Sequence, residues 1–332
     1  MTDAQKAQTD PINDLLTKPI PQKLWHYTSV KGFQEITTTK TIWATDIRFL
    51  NDSEEFTHIL KVADEVIKET PEIGVNDFPA RDFLNKTVEL AFNTGLLRPD
   101  RLRVFVASFS VAEDQLSQWR GYSYGSTGVS LAFDLSALRP PAGKGILVPF
   151  APCVYDLNEK KTLLRAAVQH FMSELEGSWQ APYKTIREWG PVGSRGDRAT
   201  LVARIKKQLP NAEEFNKRLH VAMIKTSTEL LQVAALSKNP SFHEEQEWRL
   251  VLPVLAEKEN LKNPPRFRPG ITTLIPYIAY PLPLNADSTV PLVDVILGPG
   301  SHVNSTQAAF SFLKSEGIRV IPRESSVPFR LG

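Results

Sequence analysis

The feature that most constrains this chain is an interruption: short strand-like runs occupy both ends, and a long helical stretch, 156–240, lies between them. Before it come runs at 24–29, 41–45, 104–110, 128–134 and 146–155; after it come 247–254, 272–280, 292–297 and 318–322. Pro149 and Pro152 cannot donate to a ladder, which sends 146–155 to an edge or a bulge. Strands and helices alternate without the regular rhythm that a doubly wound parallel sheet needs, so the chain reads as α+β.

The helical signals have physical starts. Ser29 is placed to cap a helix carrying Phe33 and Ile36. Asp52-Ser53-Glu54-Glu55 reads as a capping box for a helix with Phe56, Ile59, Leu60, Ala63, Val66 and Ile67 on one face. Further helices are expected over 83–92 and 305–315, with one or two turns over 114–119. In the interrupting stretch, 160–175 sets Leu164, Ala167, Val168, Phe171 and Leu175 on one face, and 199–209 and 215–236 continue the pattern. The loop 177–196 is rich in Trp, Gly and Pro and is expected to be mobile. Residues 1–22 are polar with scattered Pro and read as an arm.

A length of 332 residues suits one large domain or two ordinary ones, and a 42% apolar content is enough for a core. A net charge of +2 gives no general pull toward nucleic acid or an anionic membrane. The single cysteine, Cys153, excludes an internal disulfide and reads as a core residue. The polar start lacks the apolar region of a signal peptide, and no apolar run reaches the length of a membrane span, so a cytoplasmic protein is expected.

Common chemistries are missing from the sequence. There is no CxxC or HExxH for zinc, no GxSxG elbow, and no GxGxxG after a strand. A nuclease built on Asp134 and the E-x-E strand lacks a lysine on that strand.

Four segments carry more information. They are 24–52, with L-W-H-Y-T-S, T-I-W-A-T and R-F-L-N-D-S-E-E; 108–134, with Q-W-R-G-Y-S-Y-G and G-V-S-L-A-F-D; 242–250, F-H-E-E-Q-E-W-R-L; and 293–301, V-D-V-I-L-G-P-G-S. In this order they resemble the bacterial family catalogued as domain of unknown function 2971, over 23–330 but skipping the helical insert. A more distant likeness is to the ADP-ribosyltransferase superfamily, whose diphtheria-toxin-like branch reads His, Tyr, Glu in chain order. His26 matches the first position, Tyr122 or Tyr124 the second, and Glu247 the third. The pair Glu245-Gln246-Glu247 is also similar to the E-x-E of the arginine-modifying branch, which has Arg where this chain has His26.

The resemblance implies an α+β fold with a split mixed/antiparallel β-sheet core of ADP-ribosyltransferase type. Its first part would be 23–155 and its second 241–332, with a helical insert at 156–240 and a flexible arm at 1–22. It implies NAD as substrate, with ADP-ribose passed to a protein or nucleic-acid acceptor, or hydrolysis, as in a bacterial toxin or phage-defence effector. No membrane partner is expected, and the insert is a candidate partner surface. The alternative is a non-catalytic nucleotide- or partner-binding module of the same fold.

The implied site joins Glu247 and Glu245, as catalytic carboxylates, to His26, Tyr27, Thr28, Arg48, Trp119, Arg120 and Tyr122 as NAD-binding residues, with no metal. Cleaving the nicotinamide–ribose bond develops positive charge on the ribose, which a carboxylate stabilises. In a strand Glu245 and Glu247 share a face, and two close carboxylates should raise one pKa, as a general base requires. Arg48, Arg120 or Arg249 suits the pyrophosphate. On this reading His26 and Glu247 converge on one cleft.

Each residue also has a structural reading. His26 fits a core histidine, Asn51-Asp52 a helix cap, and Trp119 and Trp248 core aromatics. Glu245, Glu247 and Arg249 fit an ion-pair ladder, in which Arg249 holds Glu247 in place. Gly298-Pro299-Gly300-Ser301 lacks phosphate-loop spacing and reads as a turn.

Overall fold

The computed structural model describes residues 10–50, 53–69, 102–122, 128–135, 150–175, 212–255, 264–270 and 272–328. The helices expected at 83–92 and 199–209, the loop 177–196, Asn51-Asp52 and Tyr124 lie outside the described residues, as do 146–149.

The chain divides into two compact units. Unit 1 comprises Met1–Asp14, Glu54–Leu102 and Asp156–Ser237; unit 2 comprises Leu15–Ser53, Arg103–Tyr155 and Lys238–Gly332. The first element, α1 (Pro11–Leu16), lies where the sequence reads as an arm. Asp10 Oδ1 accepts from the backbone N–H groups of Ile12 and Asn13, and Pro11 occupies the first helical position, where no N–H is needed. Unit 1 is helical in its described parts. It holds most of α3 (Ser53–Glu69), together with α5 (Leu157–Leu175) and α6 (Ala212–Leu236), which pack on each other. No described helix is long and apolar enough to cross a membrane.

Unit 2 carries the sheet. Its strands are β1 (Leu24–Ser29), β2 (Thr41–Asp46), β3 (Leu102–Ser110), β4 (Gly128–Phe133), β5 (Phe150–Pro152), β6 (Glu247–Leu255), β7 (Arg266–Pro269), β8 (Leu274–Pro281), β9 (Leu292–Leu297) and β10 (Arg323–Glu324). Three helices join them: α2 (Val30–Thr39), α4 (Leu116–Tyr122) and α7 (Ser305–Ser315). The order is β10-β9-β4-β1-β3-β2-β8-β7, with β6 pairing both β3 and β5. The sheet therefore forks at β3, which pairs with β1, β2 and β6. The described registers are antiparallel except β9–β10, which is parallel, so the sheet is mixed and open.

Local chemistry explains the boundaries. Ser29 Oγ accepts from Gly32 N–H at 3.1 Å and opens α2 as expected. A last strand over 318–322 does not form; pairing begins at Arg323, just after Pro322, which has no N–H to give to a ladder. The pairing of β7 with β8 was not legible, since Pro264, Pro265 and Pro269 make that stretch read as a loop.

Period-two alternation gives the sheet two faces. Leu24, Phe105, Phe109, Leu131, Phe133, Trp248 and Leu250 belong to the larger core cluster. Trp25, Tyr27, Trp119, Ala132 and Ile296 form a second cluster. Burying aromatics of this size contributes roughly 2–3 kcal/mol each before entropy is counted. Gly298 serves this second layer: its N–H donates to Gly128 O at 2.8 Å, and an added Cβ would lie 3.1 Å from the Trp119 ring.

Candidate functional site

The richest chemistry in unit 2 sits where β6 begins. Asn239 caps a short 3-10 turn, Pro240–Glu245, its side chain accepting from Ser241 N–H. Gln246 then adopts a left-handed conformation, φ 42°, and the chain enters β6 at Glu247. Glu245 is thus the last residue of a turn, not a strand neighbour of Glu247 as the sequence suggests.

Lys238 brings the two carboxylates together. Its ammonium donates to Glu245 Oε2 and to Glu247 Oε2, and its backbone N–H donates to Val154 O at 3.0 Å. Arg249 Nε donates to Glu247 Oε1 at 2.8 Å and Nη2 to Oε2 at 3.3 Å. Both Glu247 oxygens are therefore filled. The Glu247 backbone is also fixed: its N–H donates to Tyr155 Oη at 2.9 Å and its carbonyl accepts from Cys153 N–H at 2.8 Å.

The electrostatics follow. Burial alone would push Glu247 upward, but Arg249 and then Lys238 outweigh it and hold the carboxyl at about 2. Burial would likewise push Lys238 down; Glu247 and Glu245 overturn that and raise it. The expectation that crowding makes one carboxylate a raised-pKa base therefore fails at Glu247, because Lys238 bridges the two acids and Arg249 pairs with Glu247 as well. The Glu247 side chain is 5% exposed and that of Glu245 16%. Among the described residues Glu245 Oε1 takes no hydrogen bond.

Beside this cluster is a cavity of about 10 Å³, lined by Trp25, Tyr27, Ser108, Phe109, Gln118, Glu245 and Glu247. That is the room one water needs. His26 is not in its wall. The residue alternates to the face of Leu24, and its ring lies 5.6 Å from that of Phe109. Nδ1 donates to Ser108 O at 2.9 Å. Burial lowers its pKa more than this bond raises it, which favours a neutral imidazole. The expected meeting of His26 and Glu247 across one cleft is not the arrangement seen; Tyr27 stands where His26 was placed.

The other sequence candidates disperse. Tyr27 Oη donates to Ala112 O and accepts from Gln115 N–H, and burial raises its pKa to about 12. Thr28 packs on Gly32, where a Cβ would come within 2.0 Å of its Oγ1. Arg48 is bound to buried Asp46, Nε to Oδ1 at 2.9 Å and Nη2 to Oδ2 at 2.7 Å. Trp119 is 1% exposed, edge-on to Tyr27 at 4.9 Å, with Nε1 donating to Asp114. Its core reading is the one seen. Arg120 is exposed on α4, and the side chain of Tyr122, at the end of α4, lies outside the described residues. Among the described residues no cluster of His, Cys, Asp and Glu suits a metal.

Sequence reasoning missed Lys238 and Gln118. Gln118 lies on the short α4 and Lys238 in the turn after α6, and neither falls in a periodic pattern that would single it out.

No curated protein and no solved structure matches the chain. A family model does match, over residues 118–250, which is less than half the chain. The match runs through the helical stretch instead of skipping it, and stops short of His26. It takes in Trp119, Lys238 and the Glu245–Arg249 segment, and its family is described as "Protein of unknown function (DUF2971)".

Proposed function

We propose that unit 2 is an ADP-ribosyltransferase-like, NAD-handling module whose working carboxylate is Glu245. One observation carries this reading: Glu245 keeps an unbonded oxygen at a cavity wall shared with Tyr27, Ser108 and Gln118, while both oxygens of Glu247 are filled. A carboxylate is the group such a reaction requires, because cleavage at the ribose leaves positive charge there. Lys238 orients Glu245 through its other oxygen. Glu247 holds Lys238 and Arg249 in place, and His26 ties β1 to β3. The cavity itself admits a water and not a nicotinamide ring, so no step is assigned inside it.

A second reading, a non-catalytic binding module, draws on Glu247, the matched Glu position of the superfamily pattern, both of whose oxygens already accept hydrogen bonds from Lys238 and Arg249. Incubating the purified chain with labelled NAD and a cell lysate separates the two. On the first reading the wild type labels an acceptor or releases nicotinamide, and Glu245→Gln loses this while remaining folded, with a thermal midpoint lowered less than by Glu247→Gln because only its bond to Lys238 is lost. Saturable NAD binding without turnover supports the second. Absence of both binding and turnover, in the full chain and in a form ending at Pro322, rejects NAD.

A further inference from the structure

The chain's C-terminal segment is fastened to the candidate site by one carboxylate. Asp114, between β3 and α4, accepts four hydrogen bonds. Trp119 Nε1 donates to Oδ1 at 2.7 Å and Ser325 Oγ to the same oxygen at 2.6 Å. Ser326 N–H and Oγ donate to Oδ2 at 2.7 and 2.9 Å. Around this latch, Arg323 reaches Glu113 at 3.3 Å and Asp294 at 3.5 Å, and its guanidinium lies 5.8 Å from the Trp25 ring centre. Val327 packs on the Trp25–Tyr27–Trp119 layer.

The backbone hold is slight by comparison. β10 is two residues long, and past it Ser325 N–H donates to Leu297 O. A two-residue edge pairing opens at lower free energy than the longer strands it lies against.

The other side of the latch leads to Glu245. Tyr27 Oη clasps the same loop at Ala112 O and Gln115 N–H. Ala112 N–H donates to Ser110 Oγ at 2.9 Å, and Ser110 Oγ donates to Glu245 O at 2.6 Å. A continuous set of bonds thus runs from Ser325 through Asp114 and its loop to the backbone of Glu245.

We propose that Arg323–Val327 is a displaceable strap, latched by Asp114, whose release loosens the 112–115 loop and opens the Glu245 cavity. The strap restrains the site when docked and exposes it when lifted. This rests on the cavity being the functional site, but not on NAD being its ligand.

The test compares the full chain with a form ending at Pro322, and with Asp114→Asn as a milder release. Two readouts need no ligand. Amide hydrogen exchange should rise at least tenfold over 110–120 and 24–29 in the shortened form, with β2 and β8 unchanged. In a Cys153→Ser background, Gln118→Cys should react with a small disulfide reagent at least tenfold faster once the strap is gone, with Asp114→Asn intermediate. Exchange rising throughout unit 2 would show an ordinary structural edge strand and overturn the proposal. So would a Gln118→Cys rate that does not change. If both readouts respond while neither form binds NAD, the strap stands and the NAD reading falls.

Discussion

Each unit holds a cluster of buried charge, and the two are built differently. In unit 2, Lys238 and Arg249 balance Glu245 and Glu247, and both Glu247 oxygens are filled. In unit 1, His170 stands between Glu229 Oε1 at 3.1 Å and Asp10 Oδ2 at 3.5 Å, while Glu229 Oε2 is buried without a partner. Burial is the larger influence on Glu229 and pushes its pKa up, with His170 pulling the other way. The difference teaches what buried charge needs. Two cations bonded to it keep a desolvated carboxylate ionised; an imidazole contact and the more distant charge of Lys225 do not wholly offset the loss of water at Glu229.

The largest effect should come from breaking the balanced cluster. Glu247→Gln leaves Lys238 and Arg249 buried against an amide, and should cost about 3–5 kcal/mol in urea denaturation. A loss under about 1 kcal/mol would mean that water reaches the cluster and the pairing matters little.

The pH responses should run in opposite directions. Glu247 is held below its unfolded value, so its stabilisation is present above pH 4.5 and drains away as pH falls toward about 2. Opening of β6, followed by hydrogen exchange corrected for intrinsic rates, should rise by up to about tenfold per pH unit there. Glu229 is raised, so its contribution is most favourable below pH 4.5 and is lost as pH climbs through its folded value. Protection of α5 and α6 from this source should therefore fall with rising pH, and Glu229→Gln should flatten that slope. Parallel slopes in the two units would erase the contrast.

Smaller effects set the baseline. At pH 7, Glu229→Gln should change stability by less than about 1 kcal/mol in either direction, since it removes a buried charge together with its imidazole contact. The Arg165–Glu69 pair, 3.3 Å apart and about half exposed on both sides, should matter least: Arg165→Ala should cost no more than about 0.5 kcal/mol.

What the sequence disclosed, and what it withheld, follows from which interactions are local. Alternation and periodicity located β1, β2, β3, β4, β6, β9 and the helices α5, α6 and α7, because burial of one face imposes those patterns. Ser29 declared itself as a cap for the same reason of short range. Arg249 holding Glu247 was also readable, being two residues away on one strand face. Lys238 was not, since a turn and a left-handed Gln246 bring it to the carboxylates and no spacing rule encodes that path. Tyr27 and His26 show the limit most clearly. The strand was legible, but which of its faces meets β6 depends on how β1 and β6 are placed beside β3, and that is a property of the whole sheet.

On the proposed function Glu245, and not Glu247, offers an oxygen to a ligand. Calorimetric titration of NAD into wild type, Glu245→Gln and Glu247→Gln, with the thermal midpoint of each, tests it most directly. Glu245→Gln should weaken binding at least tenfold with only a small fall in midpoint, from the lost Lys238 bond, whereas Glu247→Gln should lower the midpoint far more. Equal affinity of wild type and Glu245→Gln, or a midpoint that falls with Glu245→Gln as it does with Glu247→Gln, would contradict it.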